Sequence, residues 1–221
     1  MTSEFEKRIL SSIILIPLSF FFILKGSILF NCFLISFYLV TSYEWYMMTN
    51  KKAYHLPGYL FLIYSFYSVY CLRNNFGDES LFYFSLIVIT CISTDIGGYI
   101  FGKIFKGPRL TKISPKKTYS GMIGGYFLSI IFIYFFYYYF FLFYQELSTF
   151  NIKTLILVIL ISSISQVGDI IVSYFKRQSK VKDTGKIIPG HGGLLDRIDG
   201  IIFAFPASYL IVLIDYFNFF L

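Results

Sequence analysis

Seven long apolar runs follow one another along this chain: residues 9–24, 28–43, 56–72, 81–101, 121–144, 154–175 and 198–221. Each approaches or reaches the roughly 20 residues a helix needs to cross about 30 Å of hydrocarbon. The runs are continuous and lack a period of two, which excludes the alternating segments of a membrane barrel. Helices are then the spanning solution, because a lipid-exposed backbone must satisfy its own hydrogen bonds. Composition agrees: 57% of the 221 residues are hydrophobic and 14% charged, against about 25% charged in an ordinary soluble domain. The expected fold class is an all-α polytopic membrane protein with about seven transmembrane helices, within a range of six to eight. The expected organisation is an N-terminal group of transmembrane helices over residues 1–80 and a second transmembrane region, with two basic inner loops, over residues 81–221. The first run follows Lys7 and Arg8 but ends at Lys25 with no small-residue cleavage site, so it is expected to be a span and not a removed leader. Cys32, Cys71 and Cys91 lie in apolar runs with no C-x-x-C pair, which points to packing.

The charges define an orientation. With a cytoplasmic N-terminus and seven spans, all of the 19 Lys and Arg residues except Lys25, Arg73 and Lys153 fall on the inner side, as the positive-inside rule requires. The net charge of +7 is thereby concentrated on one face, where it suits anionic lipid head groups or a polyphosphate. Two inner segments, residues 102–120 and 173–200, are rich in Gly, Lys, Ser and Asp and punctuated by Pro108, Pro115 and Pro189.

Carboxylates sit at or near membrane depth at Asp95, Asp169, Asp196 and Asp199. An ionised side chain there costs roughly 2.5–3.5 kcal/mol on insertion scales, which makes each a functional candidate. Pairing with a Lys or Arg to lock two helices is the competing explanation. Asp196 and Asp199 are spaced i, i+3, on one face of the helix expected to begin there. Two such oxygens suit Mg²⁺, which favours carboxylates plus substrate phosphate, although a carboxylate near a helix start is also favoured by the dipole. The run Pro189, Gly190, His191, Gly192, Gly193 offers backbone N–H groups just before that helix, an arrangement suited to anions. Residues 97–103 approach a Walker A pattern, but Ile104 replaces its Ser or Thr and the segment ends an apolar helix, so a P-loop is rejected.

The string Ser173, Lys176, Arg177, Lys182, Asp183, Pro189, His191, Gly192, Gly193, Asp196, Arg197, Asp199 resembles the signature of the phosphatidate cytidylyltransferases. Gln166, Gly168 and Asp169 look like the family's Q-x-G-D element. Asp95, Tyr99, Gly102, Lys103, Ser114, Pro115, Lys116, Lys117, Thr118 and Gly121 look like its D-x-x-x-Y-x-x-G-K and S-P-x-K-T segment, and Glu44 with Trp45 resembles an early Glu-aromatic pair. The chain departs from the family at Ser120, where Glu is frequent, and at Gly98, where Ala is common. It is also short for the family.

The resemblance implies attack of a phosphatidate oxygen on the α-phosphorus of CTP, giving CDP-diacylglycerol and pyrophosphate. It implies Asp169 and Asp196 as Mg²⁺ ligands, with a second cation left open. Lys182, Asp183 and Asp199 join these two as catalytic candidates, Asp183 and Asp199 as ligands or as groups orienting Lys and Arg side chains. Phosphate and substrate contacts fall to Ser114, Lys116, Lys117, Thr118, Ser173, Lys176, Arg177, His191, Gly192, Gly193 and Arg197. The expected partners are CTP, phosphatidate and the lipid bilayer, with no nucleic acid and a homodimer left open. The expected location is a bacterial inner membrane with the site on the cytoplasmic side.

Three rivals are weighed. A CDP-alcohol phosphotransferase would carry D-G-x-x-A-R, whereas Asp199-Gly200 is followed by Ile201, Ile202, Phe203 and Ala204. A CTP-dependent polyprenol kinase would release CDP instead of pyrophosphate. A transporter would use Asp95 and Asp169 but leave the basic glycine-rich loops without a purpose.

Overall fold

A computed structural model describes residues 4–144, 150–190 and 192–216. Among them the secondary structure is helical: α1 Glu4–Lys25, α2 Ser27–Thr49, α3 His55–Asn74, α4 Ser80–Phe105, α5 Tyr119–Tyr144, α6 Ile152–Gln178, α7 Leu195–Ile198 and α8 Ile201–Tyr216, with a 3-10 turn at Gly77–Glu79. Isolated bridges join Arg109 to Thr118 and Ile188 to Gly192. Each of the first six apolar runs of the sequence thus falls in one helix.

Among the described residues, four helical stretches are long and apolar enough to cross a membrane, Ser27–Thr49, Gly77–Phe105, Tyr119–Phe140 and Ile152–Gln178, and Ile13–Lys25 and Ile201–Ile214 are shorter apolar helices. Their outer faces carry exposed Leu39, Ile92, Phe127 and Ile156. Apolar side chains exposed on helix after helix are what a lipid solvent covers.

One difference concerns the last run. Asp196 and Asp199 do not open the final long helix: Asp196 lies in the one-turn α7, Asp199 is its C-cap, and α8 starts only at Ile201. Gly200 occupies the break, and a Cβ there would collide with the Ser165 hydroxyl.

The chain divides into two compact units. Unit 1 comprises residues 1–81 and 175–199, unit 2 residues 82–174 and 200–221. In unit 1, α2 packs on α1 and on α3. Arg73 donates through Nε and Nη2 to the Ile23 carbonyl at 3.0 and 2.8 Å, satisfying an orphan carbonyl in the last turn of α1. Trp45 donates its indole N–H to the His55 carbonyl at 3.0 Å, and Phe175 meets its ring edge-on with centroids 5.5 Å apart.

Unit 2 is built on close backbone approach. A Cβ at Gly97 would strike the Gly124 carbonyl, and one at Gly121 would lie 2.7 Å from the Gly98 carbonyl. Helices α4 and α5 therefore meet across glycines, the usual means of packing when apolar burial gives no driving force in lipid. Thr94 donates to Ser162 at 2.8 Å, and Phe84 packs on Phe205.

Candidate functional site

The first basic segment lies in unit 2, between α4 and α5. Ser114, Pro115, Lys116 and Lys117 form a turn closed by Lys117 N–H donating to the Ser114 carbonyl at 3.0 Å, with proline at its favoured second position. The Ser114 N–H donates to Thr111 Oγ1 at 3.1 Å. Leu110 N–H to Lys117 O at 2.7 Å and Tyr119 N–H to Pro108 O at 3.2 Å draw the two arms together. Thr118 is the N-cap of α5, its Oγ1 accepting the Gly121 N–H at 3.1 Å. Ser120, where a glutamate is frequent in the family, donates to the Lys106 carbonyl and so ties the loop's end to its start. Lys116 is exposed, and Ser114, Lys117 and Thr118 are half-buried.

This segment delivers Lys117 to Asp169 of α6, Nζ to Oδ2, at 2.5 Å, with side chains 23% and 29% exposed. Ser173, one turn further along, donates to Asp169 Oδ1 at 3.4 Å. Three expected site residues thus meet within unit 2. Asp95, also in this unit, is exposed on α4.

The second segment, residues 175–199, lies in unit 1. Helix α6 ends in a Schellman motif: Val181 N–H reaches Lys176 O and Lys180 N–H reaches Arg177 O, both at 3.0 Å. Lys180 takes the left-handed position with φ 56°, where glycine is usual. Arg177 donates to the Val181 carbonyl at 3.2 Å. Beyond the turn, the Ile188 N–H donates to the Gly192 carbonyl at 3.0 Å. His191 itself lies outside the described residues.

Asp196 is the hub of this segment. Its Oδ1 accepts from Lys176 Nζ at 2.8 Å, and its Oδ2 accepts the N–H groups of Thr184 at 2.8 Å and Gly193 at 3.0 Å. The Lys176 and Asp196 side chains are only 11% and 6% exposed. Burial alone would push the Asp196 carboxyl up, but the hydrogen bond and charge of Lys176 and the two N–H donors outweigh it and hold the group below its ordinary range. Lys182, Asp183 and Arg197 are exposed and Asp199 is half-buried. Asp183 lies beside Gly192: a Cβ at Gly192 would come 3.3 Å from the Asp183 Cβ and 3.0 Å from Asp196 Oδ2.

The residue that reasoning from sequence left out of the site is Glu44. Its side chain is buried, 1% exposed, and accepts the Leu194 and Leu195 N–H groups at 2.9 and 2.8 Å and the Thr184 hydroxyl at 3.1 Å. The available signal was a carboxylate inside an otherwise apolar helix. The N–H groups before α7 are therefore engaged by the protein's own carboxylates: Gly193 by Asp196, Leu194 and Leu195 by Glu44.

Among the described residues, no three His, Cys, Asp or Glu side chains gather into a metal cage. Mg²⁺ asks for less, namely one or two carboxylates together with substrate phosphate and water. Asp169 fits that demand, being part-exposed and bound, among the described residues, by a lysine and a hydroxyl. On Asp196 two donors fill Oδ2, which leaves one lone pair of Oδ1 beside Lys176.

Fold and site together define an all-α membrane protein that presents lysine–carboxylate pairs in loops rich in glycine and cations. The Cytidylyltransferase family model matches residues 60–215. A phosphatidate cytidylyltransferase of Rickettsia felis is 36% identical over 210 residues, covering 92% of this chain and 90% of its own. That of Rickettsia bellii is 36% identical over 215 residues, covering 95% and 91%. That of Staphylococcus haemolyticus is 34% identical over 192 residues, covering 86% and 69%. This chain belongs to the cytidylyltransferase family.

Proposed function

We infer that the protein is an enzyme that transfers the cytidylyl group of CTP to phosphatidate, producing CDP-diacylglycerol and pyrophosphate for phospholipid synthesis. The observation that carries this is the complete signature from Ser173 to Asp199 in a chain about nine-tenths covered by relatives of that name.

In the reaction a phosphatidate oxygen bonds to the α-phosphorus of CTP. The bond from that phosphorus to the bridging oxygen of the β-phosphate breaks, and pyrophosphate leaves with the electron pair. Attack of one anion on another is limited by repulsion and alignment more than by proton transfer. Exposed Lys116, Lys182 and Arg197, with Lys117 at the end of its turn, are the cations proposed to neutralise phosphate. Lys176, locked on Asp196, is assigned to holding the loop. Magnesium is the proposed cofactor; Asp169 in one unit and the remaining lone pair of Asp196 in the other are each a candidate ligand, and the ion would supply charge neutralisation at phosphate oxygens. The basic inner segments support a cytoplasmic site.

The test is incubation of membranes containing the protein with CTP labelled in the cytidine and with phosphatidate. Labelled lipid and pyrophosphate in equal amounts are expected. No labelled lipid, with the protein confirmed in the membrane, or release of CDP in place of pyrophosphate, overturns the reading.

A further inference from the structure

We propose that Glu44 is a positioning residue for cytidylyl transfer: its buried carboxylate clamps the signature loop in its working shape. The proposal rests on the function proposed above and assigns the residue that keeps its site in order.

A carboxylate with 1% exposure in α2 is costly unless every lone pair is used well. Glu44 uses its oxygens on one target, the loop between Thr184 and Leu195. Oε1 takes the Leu194 N–H, and Oε2 takes the Leu195 N–H and the Thr184 hydroxyl. Charge-assisted bonds of this kind are about twice as strong as neutral ones. Two of the three donors are orphan amides at the start of α7, so the carboxylate caps that helix from another element.

The glycines of the loop fit the same explanation. A Cβ at Gly193 would lie 2.7 Å from Glu44 Oε2, and one at Gly185 would lie 2.7 Å from Oε1. At Gly193 the nearest atom to such a Cβ is the Thr184 Oγ1, with Glu44 next, so glycine there leaves room for the Thr184–Glu44 pair; at Gly185 it leaves room for Glu44 itself.

Thr184 couples this clamp to the reacting groups. Its hydroxyl donates to Glu44 while its N–H donates to Asp196. Asp196 in turn holds Gly193 and Lys176. Loosening Glu44 therefore shifts Asp196 and its neighbour Arg197, and a misplacement of about 1 Å costs on the order of 100-fold in rate.

The experiment compares wild type with Glu44→Gln, Glu44→Asp, Thr184→Val and the Glu44→Gln/Thr184→Val double variant, each purified in detergent as the full chain. Rates are expressed per folded molecule in the monodisperse peak. Glu44→Gln keeps the shape but turns an N–H₂ toward a donor, and kcat is expected to fall about 10- to 100-fold. Thr184→Val is expected to lose less, and Glu44→Asp to lie between wild type and Gln. Because the hydroxyl and the carboxylate act through one bond, the double variant should fall no further than Glu44→Gln within about twofold. A residue that only holds the fold changes yield and Tm while leaving kcat and KM per folded molecule at wild-type values. That result, or a double variant showing the product of the single losses, overturns the proposal. Should Glu44→Gln fail to fold, the Thr184→Val rate decides: unchanged kcat overturns it. A wild-type control that makes no lipid product refutes the function itself. The clamp is then judged by hydrogen exchange of the Leu194 and Leu195 amides, which Glu44→Gln must accelerate.

Discussion

Replacing Lys176 by Met tests how the buried loop is held. The change removes one partner of an ion pair whose side chains are 11% and 6% exposed and keeps the aliphatic stem. Breaking a buried pair costs about 3–5 kcal/mol because the remaining charge stays desolvated. Asp196 keeps its N–H donors from Thr184 and Gly193, so we take the lower part of that range and below it, about 2–3 kcal/mol. For a chain of this length each kcal/mol moves Tm by about 2–4 °C, giving a fall of about 4–12 °C at neutral pH. The pH dependence carries the sharper signature. In the wild type the Asp196 carboxyl is held below its ordinary value of 3.8. Its contribution is fully present above that value and is lost as pH falls through the lower native pKa. Without Lys176 the largest influence, burial, pushes the group up, so the variant is penalised at neutral pH and relieved on protonation. Thermal unfolding in detergent between about pH 7.5 and about pH 5 should show the gap from wild type narrowing with acid. Equal Tm values at neutral pH, or a gap that widens with acid, refutes the account of Asp196 as a buried, lysine-dependent anchor.

Asp169→Asn should abolish cytidylyl transfer, by at least about 100-fold, while membrane insertion and Tm stay near wild type. Lys117→Met should cost less than about 1 kcal/mol of stability, because its pair with Asp169 is part-exposed and screened, yet lower the rate with phosphatidate and CTP. Thr118→Ala should cost about 1 kcal/mol through loss of the α5 cap, read as a Tm fall that Thr118→Ser restores. Chelation with EDTA should stop transfer, and added Mg²⁺ should restore it; undiminished transfer in EDTA removes magnesium from the reaction.

Much of the architecture was legible because a membrane helix is written in one continuous stretch. The run 28–43 became Ser27–Thr49 and the run 154–175 became Ile152–Gln178, since local hydropathy and length decide such elements. The last run was misjudged at its start. Asp196 and Asp199 have helical spacing, but the break at Gly200 answers to Ser165 on another helix, and periodicity carries no record of that. The site was legible as a set of residue types and not as a set of partners. Lys117 and Asp169 were both marked, but nothing local pairs them. Glu44 stands 140–151 residues from the groups it binds, and of the amides read as open to an outside anion that of Gly193 is engaged by Asp196.

The two lysine–carboxylate pairs also differ in what they can do chemically, and exposure decides it. Lys117 and Asp169 are about a quarter exposed, so water can replace each partner and opening the pair costs under about 1 kcal/mol. Either group can then exchange its partner for a ligand of opposite charge, a phosphate for the lysine or a cation for the carboxylate. Lys176 and Asp196 cannot do this cheaply, because separating them leaves a desolvated charge on each side at a cost of several kcal/mol. A phosphate arriving at Lys176 would have to offset that loss before gaining anything. The same motif, a lysine on an aspartate, is therefore open to exchange with a ligand in the exposed pair and fixed as loop architecture in the buried one. On this argument Asp169 is the more open of the two carboxylates to a substrate or metal, while Asp196, proposed as a ligand through one lone pair, also holds Thr184, Gly193 and Lys176.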